Sequence, residues 1–251
     1  MTVRWLTAFI DRPADQLDLA MRFWSEVTGS AMSPMRGDHD EFATLLPPDG
    51  DAYLRIQRVA DGVGGSHLDL HVDDITATAM RAGHLGARVT RELDDVIVMR
   101  SPAGMAFCVV DHDGESTRPA PTALHGSTRA IVDQLCIDIP RVAYESECEF
   151  WSDLTGWEHR QGVLPEFSYL RVPAGMPIRL LLQRQDDSPA GNRAGAHLDL
   201  ACDDVEAAAA IHQELGAQLR ARHEHWITMT DPAGLPYCLT RRDPDTGTVS
   251  G

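Results

Sequence analysis

The sequence predicts an α+β fold of two tandem copies of one unit, over 1–115 and 129–243, joined by a linker at 116–128 and followed by a flexible tail at 244–251. Three observations carry this. Blocks of sequence return in the same order, apolar residues within each copy switch between a spacing of two and helical spacing, and Pro, Gly and Asp clusters punctuate the switches.

The repeat is direct. FWSEVTG at Phe23–Gly29 returns as FWSDLTG at Phe150–Gly156, an offset of 127. HLDLHVDD at His67–Asp74 returns as HLDLACDD at His197–Asp204, and Leu85-Gly86-Ala87 returns as Leu215-Gly216-Ala217. M-x-x-PAG-x-x-x-C runs from Met99 to Cys108 and again from Met229 to Cys238, so these later blocks share an offset of 130. Four blocks in one order, shifted only by a few residues of loop, mark a duplication.

Each copy opens on an apolar strand, Val3–Ile10 or Ile131–Ile137, that reaches a proline. Leu17, Met21, Trp24 and Val27 then recur at three- and four-residue steps, as do Tyr144, Cys148, Trp151 and Leu154, which predicts a helix with its apolar face buried. Trp24 and Trp151 are expected to be core anchors, and Gly29 and Gly156 to stop the helices. Strands follow at Glu41–Leu46 and Tyr53–Arg58, and at Phe167–Val172 and Ile178–Arg184, separated by PPDGD and PAGMP turns. The HLDL strand comes next, its Asp-Asp pair placed to cap a helix running to the LGA block. A short strand near Ala87–Arg91 and a hairpin close the copy: Val96–Arg100 with Met105–Val110, or Trp226–Thr230 with Leu235–Thr240. The order is βαβββ, twice per copy. Between the copies, Glu115–Thr128 is rich in Pro, Ser and Thr without hydrophobic period.

Composition narrows the function classes. The formal charge is −16, which argues against nucleic acid as a partner and suits a cationic ligand better. All 22 basic residues are arginine, which removes Schiff-base chemistry and any P-loop. Five cysteines without a C-x-x-C pair are expected to be reduced thiols. No run is long and apolar enough for a membrane span, and MTVRWLTAFIDRP lacks the layout of a signal peptide, so the expected compartment is the cytoplasm.

Taken together, the strand and helix ending in FW-x-x-x-TG, the H-x-D-L-x-x-DD strand, the LGA block and the PAG-x-x-x-C hairpin resemble the vicinal oxygen chelate superfamily, in its glyoxalase-like branch and related to the bleomycin-resistance proteins. The resemblance implies two βαβββ modules per copy, curled into a cup-shaped mixed sheet with helices outside and a ligand or metal in the cup. It also implies metal ligands at three places: the first strand, a histidine opening the fifth, and a glutamate on the eighth. Here those places hold Thr7, His67 and Cys108 in the first copy, and Gln134, His197 and Cys238 in the second. Neither set matches two histidines and a carboxylate, so the expectation is no metal and no cofactor, with chelator leaving the melting temperature unchanged.

Strand alternation places His67, Asp69 and His71 on one face and Leu68, Leu70 and Val72 on the other. The apolar row must meet the helices, which leaves the polar row facing the cup. The same holds for His197 and Asp199 in the second copy, and Cys108 and Cys238 should share their side. His67 and His197 are the candidate catalytic residues, as general bases near neutral pH. Candidate ligand-binding residues are Gln134, His197, Asp199, Trp226 and Cys238 in the second copy, and His67, Asp69, His71 and Cys108 in the first. The second copy also carries His223, His225 and Asn192-Arg193 without counterparts in the first, which favours it as the working cup.

Three functions are weighed. The leading expectation is a metal-independent protein that binds a small cationic or aromatic molecule, in the manner of ligand sequestration or resistance. The alternative is a metal-free lyase, isomerase or hydrolase with a cup-facing histidine as base. The third is a metal-dependent glyoxalase or dioxygenase-like enzyme.

Overall fold

In the computed structural model, residues 2–60, 62, 64–124, 128–186 and 193–248 are described. The first copy runs β1 (Val3–Pro13), α1 (Leu17–Thr28), β2 (Ala31–Met32), β3 (Phe42–Leu46), β4 (Leu54–Val59), then β5 (Gly65–Val72), α2 (Ile75–His84), β6 (Arg88–Glu92), β7 (Val96–Arg100), β8 (Ala106–Asp111). After β9 (Thr122–Leu124), the second runs β10 (Thr128–Pro140), a 3-10 turn at Arg141–Ala143, α3 (Tyr144–Thr155), β11 (Glu158–Gln161), β12 (Phe167–Arg171), β13 (Arg179–Gln185), then β14 (Gly195–Cys202), α4 (Val205–Glu214), β15 (Gln218–Arg222), β16 (Trp226–Thr230), β17 (Pro236–Thr240). This is βαβββ twice per copy. Two strands that the hydrophobic pattern does not announce are β2 and β11, one of two residues and the other fully exposed. Inside the segment read as a linker, Thr122–Leu124 pairs antiparallel with the start of β10.

Each copy forms one open, mixed sheet. The first is ordered β2-β3-β4-β1-β5-β8-β7-β6, and the second β11-β12-β13-β10-β14-β17-β16-β15 with β9 on β10. The fold is α+β, with the module junction at the central pairs β1-β5 and β10-β14. Within the second modules, β5 runs parallel to β8 and β14 parallel to β17.

Local chemistry explains the boundaries. Gly29 and Gly156 end α1 and α3 at φ 61° and 73°, the left-handed region that glycine enters without a side-chain penalty. Asp74 and Asp204 cap α2 and α4, their carboxylates accepting from Ala77 N and from Glu206 N and Ala207 N. Asp204→Ala should cost about 1 kcal/mol, the usual worth of such a cap, read as a lower urea midpoint with an unchanged slope. Among the described residues, no helix is long and apolar enough to cross a membrane. All five cysteines are buried.

Packing divides the chain differently from the sheets. One compact unit comprises Met1–Ala8, Ser66–Thr117 and Leu135–Ala196, and the other Phe9–Gly65, Arg118–Gln134 and His197–Gly251. In the first unit, α3 of the second copy lies on the β7-β8 hairpin of the first. The Trp151 ring meets Phe107 at 5.2 Å and Phe150 at 5.1 Å, and Phe107 also touches Phe150. In the second unit, α1 of the first copy lies on the β16-β17 hairpin of the second, with Trp24 on Tyr237 at 5.5 Å and Phe23 against Tyr237 and His212. Trp24 and Trp151 are therefore core anchors, at 2% and 0% exposure.

Each indole N–H finds a buried carboxylate, but from a different element. Trp24 Nε1 donates to Asp231 Oδ2 at 3.1 Å, the same oxygen that accepts from Arg12 at 2.5 Å, while Asp231 Oδ1 accepts from Leu235 N in the hairpin turn. Trp151 Nε1 donates to Glu147 Oε1 at 2.9 Å, one helical turn back, while Glu147 Oε2 accepts from Ala103 N in the other hairpin turn. By the repeat offsets, Glu147 corresponds to Ala20, Asp231 to Ser101, and Arg12 to Ile139. The acid has moved between helix and turn. In both copies it accepts the indole N–H, but the turn amide that Asp231 takes, Leu235 N, has as its counterpart Met105 N, which Ser101 Oγ accepts instead.

Candidate functional site

The face of each sheet turned away from the helices carries the polar residues. In the first unit, Leu68 stands opposite Phe107, which packs on Trp151, and Leu70 stands opposite Val109. That is the helix side. The alternate residues His67, Asp69 and His71 point the other way, and Asp69 stands directly opposite Cys108 in the parallel ladder. All four are buried. Among the described residues, one ligand atom each from His67, Asp69 and Cys108 all lie within 4.8 Å of one another. His67 Nε2 is 3.7 Å from Asp69 Oδ1.

A second set adjoins this one on the strand. The Thr7 hydroxyl and His71 Nε2 share a hydrogen bond of 2.9 Å, and Glu115 Oε1 lies 3.7 Å from His71 Nδ1. The Glu115 carbonyl also accepts from, or faces, His112 Nε2 at 2.8 Å, and its carboxylate is 3.7 Å from that nitrogen. Glu115 was expected to begin the linker. Its only sequence signal is an acidic residue just after the last strand, which is common on any surface.

In the second unit the corresponding residues are wired differently. Asp199 stands opposite Cys238 in the ladder, His197 Nε2 is 3.4 Å from Asp199 Oδ1, and the Cys238 sulfur is 3.7 Å from His197 Nε2. Gln134 donates from Nε2 to Asp199 Oδ2 at 2.5 Å, so here the first-strand residue holds the carboxylate, whereas in the first copy Thr7 holds a histidine. Burial raises the Asp199 carboxyl above the usual range, opposed by His197, Arg242 and the Gln134 hydrogen bond. Burial likewise raises the Cys238 thiol, and Asp199 adds to it, so this sulfur is a poor free nucleophile. Ala201 replaces His71 on this strand.

Trp226 pairs with Thr240 and Thr228 with Cys238, which puts the indole on the same face as the Cys238 sulfur. It is half-buried and stacked on His223 at 4.3 Å and 16°. His225 is not part of that stack, its carbonyl instead accepting from Arg241 N. Asn192 lies outside the described residues. Behind the site, Asp133 and Arg242 form a buried ion pair, and Arg242 is held charged by Asp133 and Asp199 against the pull of burial. The signal for that pair was a charge inside the apolar run Ile131–Leu135, with no indication of its partner. Cys136, two residues beyond Gln134 on β10, went unremarked in the pattern; its thiol donates to Gln183 Oε1 at 3.5 Å.

A family model described as a glyoxalase-like domain matches residues 7–110 and again 134–240. The chain belongs to the glyoxalase-like domain family. No curated protein matches it significantly. Among solved structures, this glyoxalase-like chain is similar to the Mn(II)-bound glyoxalase from Novosphingobium aromaticivorans, at 16% identity and a TM-score of 0.64 over 99% of this chain and 86% of that one. It is similar to 2,2',3-trihydroxybiphenyl 1,2-dioxygenase from dibenzofuran-degrading Sphingomonas wittichii strain RW1, at 16% identity and a TM-score of 0.61 over 99% and 95%. A triple mutant of 4-hydroxymandelate synthase from Streptomyces coelicolor gives 15% identity and a TM-score of 0.59 over 95% and 91%. At these identities the likeness shows the fold, a tandem vicinal oxygen chelate architecture.

The expectation of no metal cofactor is corrected. It rested on one residue per strand, Thr7, His67 and Cys108 in the first copy and Gln134, His197 and Cys238 in the second, sets without a carboxylate. Strand alternation adds Asp69 to the His67 face, and the ladder sets it beside Cys108, so imidazole, carboxylate and sulfur converge within 4.8 Å. A glyoxalase of similar fold is Mn(II)-bound.

Proposed function

We propose that the glyoxalase-like chain is a metal-dependent enzyme acting on a small, oxygen-bearing molecule, with the ion held in the first copy by His67, Asp69 and Cys108. The observation that carries the reading is the convergence of those three unlike donors on the buried, helix-averted face of β5 and β8. The donor set fits a divalent ion. Three protein ligands with room for a substrate oxygen is the pattern of catalytic rather than structural sites. A bound ion would supply Lewis acidity toward a substrate carbonyl or hydroxyl. The carboxylate now comes from β5 and the sulfur takes the eighth-strand place.

The remaining residues of that face are suited to hold and move a proton. Glu115 beside Nδ1 favours the His71 tautomer with its proton there, which leaves Nε2 to accept from the Thr7 hydroxyl and makes His71 the general base. In the second copy, buried Gln134, Asp199 and Cys238 with half-buried His197, and the Trp226 plate beside them, support a reading as an organic-ligand site.

Protein purified without chelator is expected to carry about one divalent ion per chain, as one three-ligand site requires, and its melting temperature to fall when the ion is stripped. His67→Ala and Asp69→Ala should each abolish both properties. If the purified protein holds no ion, and adding Zn²⁺, Co²⁺ or Mn²⁺ leaves the melting temperature unchanged, the reading is wrong.

A further inference from the structure

We propose that the ion in the first copy is bound through the Cys108 sulfur, which makes the centre a zinc-class Lewis-acid site for non-redox chemistry rather than an oxygen-activating one. The inference rests on the metal reading above and deepens it by naming the class of ion and of reaction.

The donors decide the class. A thiolate is a soft ligand that favours Zn²⁺ and Co²⁺, whereas carboxylate, carbonyl and water sites suit Mn²⁺ and Mg²⁺. Non-haem iron oxygenases use two imidazoles and one carboxylate around open positions. Here the cluster holds one imidazole, one carboxylate and one sulfur. The other imidazole on this strand, His71, is turned to Thr7 at 2.9 Å and to Glu115. Cys108 has no competing cysteine in the cluster, and its place opposite Asp69 is set by the parallel ladder rather than by a loop. A site on two central strands presents its ligands with little freedom. Zinc also lies above cobalt's lighter neighbours, manganese and iron, in the general affinity order, so softness and intrinsic affinity point the same way. An ion without accessible redox states suits reactions of a carbonyl or hydroxyl compound in which no external oxidant is needed.

The test uses Co²⁺ added to the full chain after its metal has been stripped. Bound cobalt should show an intense thiolate-to-metal charge-transfer band in the near ultraviolet. Cys108→Ser should remove that band and weaken cobalt binding at least about tenfold, the smaller end of what losing even an outer-shell partner costs. Cys238→Ser should retain it. Zn²⁺ should displace the cobalt stoichiometrically and Mn²⁺ should not. Circular dichroism and the metal-free melting temperature of each variant separate loss of a ligand from loss of fold, and Cys108→Ala serves if the serine variant fails that check. If cobalt binds, as a melting-temperature rise shows, but the band is absent or survives Cys108→Ser, the sulfur inference is overturned while the metal reading stands. If cobalt, zinc and manganese all fail to bind, both fall.

Discussion

Asp231→Ala is expected to destabilise the protein by about 3–5 kcal/mol, the cost of removing one partner of a buried ion pair and leaving the other charge behind. Asp231 and Arg12 are almost wholly buried, and the same carboxylate takes the Trp24 indole N–H and the Leu235 amide. Removal therefore strands a guanidinium, an indole donor and a turn amide together. The repeat supplies a sharper version of the experiment. Arg12→Ile with Asp231→Ser installs what stands at the equivalent positions of the opposite copies, Ile139 and Ser101. Because the double variant removes both charges, it should be markedly more stable than either single one, with a coupling of more than about 1 kcal/mol in a double-mutant cycle. Urea unfolding of the four proteins measures it. Additive losses would show that Arg12 and Asp231 act independently.

Stability should also fall steeply with acid, and His212 is the main identifiable cause. Its ring is fully buried among Phe23 and Tyr237, with Nδ1 bonded to the Tyr237 hydroxyl at 2.8 Å. Burial lowers its pKa from 6.5 to about 4. The folded state thus refuses a proton that the unfolded chain accepts from pH 6.5 downward. The associated stability is fully present above pH 6.5 and is lost as pH falls toward 4, with no further loss from this group below that. Between pH 7 and 5 the loss should be about 2 kcal/mol, out of roughly 3 kcal/mol for the full shift. His212→Leu should flatten that part of the pH–stability curve whatever its absolute stability at pH 7. A variant with the same slope as the parent would assign the acid sensitivity to other groups. The first copy has Ala82 at this position and carries no such liability there.

Secondary structure was legible because the duplication states each signal twice. The tryptophan helix, the HLDL strand with its aspartate cap and the PAG hairpin each recur, and each occurs in the structure where its pattern lies. Elements without a pattern were not legible: Ala31–Met32 is too short to alternate, and Glu158–Gln161 is polar throughout. The site was half legible. Period-two alternation is local, so the row of His67, Asp69 and His71 and the facing of Cys108 could be read from one strand at a time. What each side chain meets is not local. Glu115 beside His71, Arg242 beside Asp133 and His212 under Phe23 depend on which segments, 44 to 189 positions apart, share a unit. Asp69 as a proposed metal ligand was not read for a related reason: matching family positions singly hides a carboxylate that stands on the neighbouring strand, directly opposite the place where the family's glutamate would be.

The crossed packing of the two tryptophan helices makes the copies complementary strangers rather than twins. Suppose two first copies met, helix to hairpin. Trp24 and Arg12 would face Ser101, and a guanidinium would be buried with no anion. Suppose two second copies met. Glu147 on the helix and Asp231 in the hairpin would be driven together beside Ile139, two carboxylates with no cation. Only the mixed pairing places one carboxylate under each indole and an arginine where the charge needs balancing. Each such mismatch costs several kcal/mol, enough to sort the pairings strongly. Two halves severed between the copies would therefore recognise each other and refuse themselves, as the subunits of an obligate heterodimer do.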